Sequence, residues 1–201
     1  LWIHGGGYIM GSPDAEDLTV KSIVSALGCA AVSVDYRLAP ETPYPGPVED
    51  CYAALKWLVT HAAELGIDPD RIAAGGSSAG GGLAAALALL ARDRGEVSLA
   101  FQFLLAPMLD DRTGTLAEPH PYTGEFIWTP EANRFGWSSL LGQERGGPDV
   151  SPYAAAARAE HLEGLPATFL YVGALDLFLE EDLEYARRLM RAGVPTELHV
   201  Y

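Results

Sequence analysis

Residues 75–82 read GGSSAGGG, two adjacent serines inside a cluster of glycines. A short apolar run, Arg71–Gly75, precedes the cluster and is predicted as a strand. Ala79–Arg92 follows and is predicted as a helix. A serine nucleophile at a strand-to-helix junction sits on a sharp turn, and the residues two positions either side of it must be small, giving G-x-S-x-G. Only one register fits. Ser78 lies between Gly76 and Gly80, whereas Ser77 would lie between Gly75 and Ala79. Ser78 is therefore the candidate nucleophile. Three other readings compete. A phosphate-binding loop would end in Lys-Ser or Lys-Thr, which is absent here. Gly80, Gly82 and Ala85 fit the spacing G-x-G-x-x-A, but they would lie inside the helix and not in the turn. The third is a glycine-rich turn with no chemistry.

The stretch Leu1–Gly7, LWIHGGG, shifts the balance toward catalysis. Acyl transfer builds negative charge on a carbonyl oxygen, and backbone N–H groups presented by glycines can approach that oxygen closely. The expected oxyanion donors are Gly6, Gly7 and Ala79, the last being the residue after the nucleophile. His4 is read as a prop for the glycine loop, because a general base in this arrangement comes late in the chain, after the acid.

Around these motifs apolar runs alternate with helical faces, which predicts an α/β protein with a mostly parallel sheet and helices on both faces. Strands are expected at Leu1–Ile3, Ala30–Tyr36, Ala100–Pro107, Thr168–Gly173 and Glu197–Tyr201. Helices are expected from Ser12–Pro13 to Leu27, over Val48–Leu65, from Thr129–Pro130 to Leu141, and over Glu180–Ala192. Residues 108–166 interrupt the rhythm, and so long an excursion is read as a lid or pocket wall on a single domain spanning 1–201.

As a set, the motifs resemble the hormone-sensitive-lipase-like esterases of the α/β-hydrolase superfamily. HGGG is followed by DYRLAPE (Asp35–Glu41) and GSSAGG (Gly76–Gly81). Tyr44–Leu58, Ser151–Pro166 and Val172–Asp182 resemble further segments of that family in the same order. The commoner elbow there is GDSAGG, so Ser77 stands where an Asp is usual. The resemblance implies a serine carboxylesterase for short to medium acyl esters, using a Ser-Asp-His triad and no cofactor. A non-catalytic ligand-binding protein on the same scaffold is the alternative, as is an amidase or deacetylase with the same triad.

The acid is expected at the end of a strand, which favours Asp176 after TFLYVGAL. Glu180, Glu181 and Asp182 are read as the acidic first turn of the next helix. Of the five histidines only His199 follows Asp176, and by alternation it sits mid-strand. The resemblance places the catalytic histidine just beyond Tyr201. The chain starts at Leu1 within an apolar triplet and stops at Tyr201 within another, so both ends are read as cut from a longer polypeptide.

Other features are weaker. Arg37 is expected to pair with Asp35 or Glu41. Tyr8, Ile9 and Trp128, with Phe126, are candidates to line the substrate pocket. Asp110–Asp111 and Asp68–Pro69–Asp70 lack the ligand number a calcium site needs and are read as turns, so no metal is expected. Thirteen basic residues against 27 acidic ones give a net charge of −14, spread over both halves of the chain. Such a surface disfavours nucleic acid and anionic membrane. No apolar run is long enough to span a bilayer. Two isolated cysteines, Cys29 and Cys51, and no visible signal peptide point to a cytoplasmic protein, with room for a homodimer.

Overall fold

The apolar runs assemble into one six-stranded sheet in a computed structural model that describes residues 1–115 and 120–201. The strands are β1 (Trp2–Ile3), β2 (Ser33–Val34), β3 (Ala73–Ser77), β4 (Phe101–Leu105), β5 (Ala167–Val172) and β6 (Thr196–Val200). Their order is β2-β1-β3-β4-β5-β6, and every pairing is parallel. The helices are α1 (Asp17–Leu27), α2 (Gly46–Thr60), α3 (Ala62–Leu65), α4 (Ala79–Arg94), α5 (Pro130–Leu141) and α6 (Leu179–Arg191). The step from β1 to β2 runs against the direction of all later steps. Right-handed crossovers therefore put α1 on one face of the sheet and α2, α4 and α6 on the other.

Helix α4 is the centre of the core. Its first thirteen residues are Ala, Gly and Leu only, and all are buried. A helix that is apolar all round belongs inside. It packs on β3, β4 and α2, while α6 covers β5 and β6. Strand β5 shows the resulting alternation: Thr168, Leu170 and Val172 are buried, and Ala167, Phe169 and Tyr171 are half-buried on the opposite face. That second face carries a row of rings running Trp2, Phe103, Phe169, His199 and Tyr201, with centroids 5.1–6.2 Å apart.

Several boundaries differ from the sequence reading. Of the predicted strand 30–36 only Ser33–Val34 joins the ladder, since among the described residues β2 pairs with β1 alone, and β1 is itself two residues long. The helix expected over 48–65 breaks at His61, whose ring stacks on Trp57. Chain entry to α1 is a 3₁₀ turn, Pro13–Glu16, and Ser12 makes no side-chain cap. Strand β3 starts two residues later than expected, so it delivers the chain directly to Ser78. The excursion at 108–166 contains α5 and a 3₁₀ turn at Ala156–Arg158; its residues 116–119 lie outside the described residues.

Candidate active site

Ser78 stands between β3 and α4 with φ 52° and ψ −120°, a backbone conformation that a residue with a side chain rarely adopts. The turn is held from both sides: Ser78 N–H donates to Leu105 O at 2.8 Å, and Ser78 O accepts from Met108 N–H at 2.9 Å and Gly82 N–H at 3.0 Å. The two flanking glycines are required by close approach of β1. A Cβ on Gly76 would lie 2.4 Å from Ile3 O, and one on Gly80 would lie 2.0 Å from Ile3 O and 2.5 Å from His4 O. The G-x-S-x-G pattern and the HGGG stretch are thus two sides of one contact, because the glycines let the end of β1 pass directly over the elbow.

The glycine loop leaves β1 beside Ser78 with positive φ at Gly6 and Gly7, 117° and 59°. His4 is buried, with its ring stacked on Tyr36 at 4.3 Å and its Nδ1 2.7 Å from Gly5 O. The Tyr36 hydroxyl donates to His4 O at 3.0 Å. His4 therefore sits in a supporting position for the loop. Among the described residues, no backbone acceptor receives the N–H groups of Gly6, Gly7 or Ala79. Trp128 closes over Gly7, where a Cβ would meet its ring at 2.2 Å, and its Nε1 donates to Asn133 Oδ1 at 3.2 Å. Ile9 is half-buried next to the same loop. Tyr8 corrects the sequence reading. It is fully buried, tilted against Trp137, and its hydroxyl donates to Met108 O at 2.8 Å, so it is a core residue and not a pocket wall.

Asp176 follows β5 at the same sheet edge as Ser78. One strand, β4, lies between their parent strands, so the two backbones stand about two strand spacings or roughly 10 Å apart. That gap suits one imidazole ring. Asp176 Oδ1 accepts from Phe178 N–H at 2.9 Å. Partial burial pushes its carboxyl above the usual aspartate range, against the pull of that hydrogen bond. Strand β6 ends at this edge too: Tyr201 N–H donates to Val172 O at 3.1 Å, and Ala174 N–H donates to Tyr201 O at 2.6 Å. His199 lies within β6, paired in register with Tyr171, and its Nε2 is 2.6 Å from Glu197 Oε1 while its ring stacks on Tyr201.

Glu180, Glu181 and Asp182 form the acidic first turn of α6 as read from the sequence, but burial sets two of them, and Asp111, apart. Glu181 and Asp182 are buried, although Glu180 beside them is exposed. Glu181 Oε1 accepts from Leu109 N–H at 2.6 Å and Asp110 N–H at 3.1 Å, and its Oε2 accepts from the Thr113 hydroxyl. Burial pushes the Glu181 carboxyl up to about 8, even against these three donors. Asp182 has no hydrogen-bond partner among the described residues, and burial raises it well above the aspartate range. Asp111 is fully buried and takes a forked pair from Arg158, 2.7 and 2.9 Å, plus Gly146 N–H at 2.6 Å. It anchors the start of the excursion and is more than a turn residue. Arg37 also departs from expectation. Its guanidinium grips Asp50 of α2 at 2.8 and 2.9 Å, one turn into the helix that follows DYRLAPE. No group of three or more His, Cys, Asp or Glu able to hold a metal occurs among the described residues. None of the described helices is long and apolar enough to cross a membrane.

Comparison with known proteins agrees with this geometry. A family profile described as alpha/beta hydrolase fold matches residues 1–201. The chain is 36% identical over 201 residues to the Mycobacterium tuberculosis protein Esterase LipI, covering 99% of this chain and 62% of that relative. It is 36% identical over 197 residues to an Arylesterase of Saccharolobus solfataricus, covering 98% of this chain and 63% of the relative. Among solved structures, a bacterial heroin esterase superposes with a TM-score of 0.94 at 49% identity, over 100% of this chain and 64% of that one. The chain therefore spans a little under two thirds of the length of these relatives.

Proposed function

The chain belongs to the alpha/beta hydrolase fold family, in its hormone-sensitive-lipase-like branch, and from that premise we propose that it carries the nucleophile, acid and oxyanion hole of a serine carboxylesterase. The observation that carries this reading is the strained Ser78 elbow lying against the glycine loop. In the proposed reaction the Ser78 hydroxyl attacks an ester carbonyl and gives up its proton to a histidine. The carbonyl oxygen becomes an oxyanion held by the N–H groups of Gly6, Gly7 and Ala79. The histidine then protonates the departing alcohol as the carbon–oxygen bond breaks, leaving an acyl-serine. Water, deprotonated by the same histidine, hydrolyses it and regenerates Ser78.

Asp176 is assigned to orient that histidine and to stabilise its charged form. The base is assigned to the histidine that the family resemblance places after β6; His4 and His199 are engaged in the loop and in the sheet. Ile9 and Trp128 are assigned to the pocket wall, with the excursion at 108–166 forming the rest of it. Short to medium acyl esters are the proposed substrate class. Preorganised donors matter most in such sites, and removal of a single oxyanion donor costs about 10²–10³ in turnover.

The test is intact-mass labelling with a fluorophosphonate, on this chain and on the gene product that contains it, each beside Ser78→Ala. One adduct on the gene product, absent from Ser78→Ala, is expected. A folded gene product that takes up no label overturns the proposal and favours a ligand-binding role. A panel pairing each ester with its amide then separates an esterase from an amidase.

A further inference from the structure

The carboxylate of Glu16 joins three separate pieces of the site. Its Oε1 accepts from Gly5 N–H at 2.8 Å, inside the glycine loop, and from the Ser77 hydroxyl at 2.5 Å, on the residue just before the nucleophile. Its Oε2 accepts from Trp2 Nε1 at 2.6 Å, on β1. Glu16 ends the 3₁₀ turn that leads into α1, so the group is supplied from outside the sheet edge it binds. All three donors are neutral, and no cation pairs with this carboxylate among the described residues. Charge-assisted hydrogen bonds of this kind are shorter and stronger than neutral ones.

We propose that Glu16 is a positioning residue that fixes the oxyanion loop against the nucleophile elbow, and that Ser77 is its matched donor. The proposal rests on the esterase reading of Ser78. The geometry explains why position 77 carries a hydroxyl. Oε1 bridges Gly5 and Ser77, so it sets the separation between the loop bearing Gly6 and Gly7 and the strand end bearing Ser78. The contact is tight: a Cβ on Gly5 would lie 2.9 Å from Ser77 Oγ and 3.3 Å from Glu16 Oε1. An aspartate at position 77 would place a second carboxylate against the first, where neither donates while both are ionised. The two like charges would push the loop off the elbow. The Asp of the commoner elbow is therefore disfavoured beside Glu16, and the two positions form one pairwise unit.

The experiment is a double-mutant cycle on the gene product, reading kcat and KM on a p-nitrophenyl ester, the rate of fluorophosphonate labelling of Ser78, and the melting temperature. Glu16→Ala is expected to lower kcat and labelling rate about 10- to 100-fold with KM changed less than about threefold, since an oxyanion donor is displaced without loss of the pocket. Glu16→Gln, which keeps an acceptor for Gly5 and Ser77 but turns its amide N–H toward Trp2 Nε1–H, should recover part of that loss. Ser77→Asp alone should be at least as damaging as Glu16→Ala. Glu16→Gln with Ser77→Asp should recover at least tenfold over Ser77→Asp, because one of the two like charges is gone. Labelling and kcat at the wild-type level in Glu16→Ala would overturn the proposal, as would strict additivity of the two changes. If Glu16→Ala does not fold, the Glu16→Gln and Ser77→Asp arms carry the same decision. Wild-type protein that takes up no label overturns the esterase reading and this one together, whereas a labelled wild type with an additive cycle overturns this one alone.

Discussion

Replacement of Gly80 by alanine sets two effects of opposite sign against each other. Gly80 lies in the first turn of α4, and in an unconstrained helix interior the change would stabilise by about 1 kcal/mol through helix propensity. Here the added Cβ would sit 2.0 Å from Ile3 O, 2.6 Å from Ile3 C and 2.5 Å from His4 O, where ordinary contact begins near 3.4 Å. The end of β1 or the start of α4 would have to retreat by more than 1 Å. Both are main chain, the one held in a parallel ladder and the other in the first turn of a helix, so no side-chain rotation relieves the overlap. Overpacking in cores costs about 1–3 kcal/mol, and a main-chain clash belongs at or above the top of that range. The net expectation is a loss of about 2 kcal/mol, or about 4–8 °C in melting temperature for a chain of this size. The same displacement moves His4 and the glycine loop, so labelling of Ser78 should slow more than tenfold. Gly147→Ala is the control, since its Cβ would meet nothing within 4 Å and should leave both readings near wild type. A rise in melting temperature for Gly80→Ala, as propensity alone would give, refutes the reasoning.

Two further outcomes follow from the buried acids. Burial raises Glu181 to about 8, so the stability it contributes is fully present below about 4.5 and is lost as pH rises through about 8; Asp182, raised in the same direction, adds to the decline. Glu181→Gln should therefore flatten the fall in melting temperature between pH 5 and about 8, and parallel wild-type and variant curves would contradict the assignment. Asp111→Ala leaves the largely buried Arg158 without its forked partner. Loss of one member of a buried pair costs about 3–5 kcal/mol, so chemical denaturation should report a loss of that order, and a loss under about 1 kcal/mol would show that water replaces the pair.

Much of the fold was legible because its signals are local. The apolar runs match β4, β5 and β6 to within about two residues, and the helices expected from the Thr129–Pro130 start and over Glu180–Ala192 match α5 and α6 almost to their ends. Failures came where neighbours in space decide. Ala30–Tyr36 has strand composition, but pairing with the two-residue β1 leaves only Ser33–Val34 in the ladder. Tyr8 follows the glycine loop in sequence and so looked like a pocket residue. Its ring turns inward because Met108 O, a hundred residues away, needs a donor.

The buried acids show where a single sequence stops informing. Glu16 reaches Ser77 across 61 positions, Asp111 reaches Arg158 across 47, and Glu181 reaches Leu109 across 72. No spacing rule connects such pairs, and a net charge of −14 makes any one carboxylate look like surface. Yet α6 held a readable warning. Phe178, Glu181, Asp182, Tyr185, Ala186 and Leu189 recur at steps of three and four, so two of the three acids in its first turn fall on the apolar stripe. An acid on that stripe must be neutral or multiply hydrogen-bonded, because burying a lone carboxylate costs far more than one helix turn returns. Glu181 meets the requirement with two main-chain donors and a hydroxyl. Those donors belong to Leu109, Asp110 and Thr113, immediately after the Met108 N–H that holds Ser78 O and the Met108 C=O that holds Tyr8. The acid is thus placed where it fixes the same loop that steadies the elbow, and its position on the helix face, not its charge, was the clue.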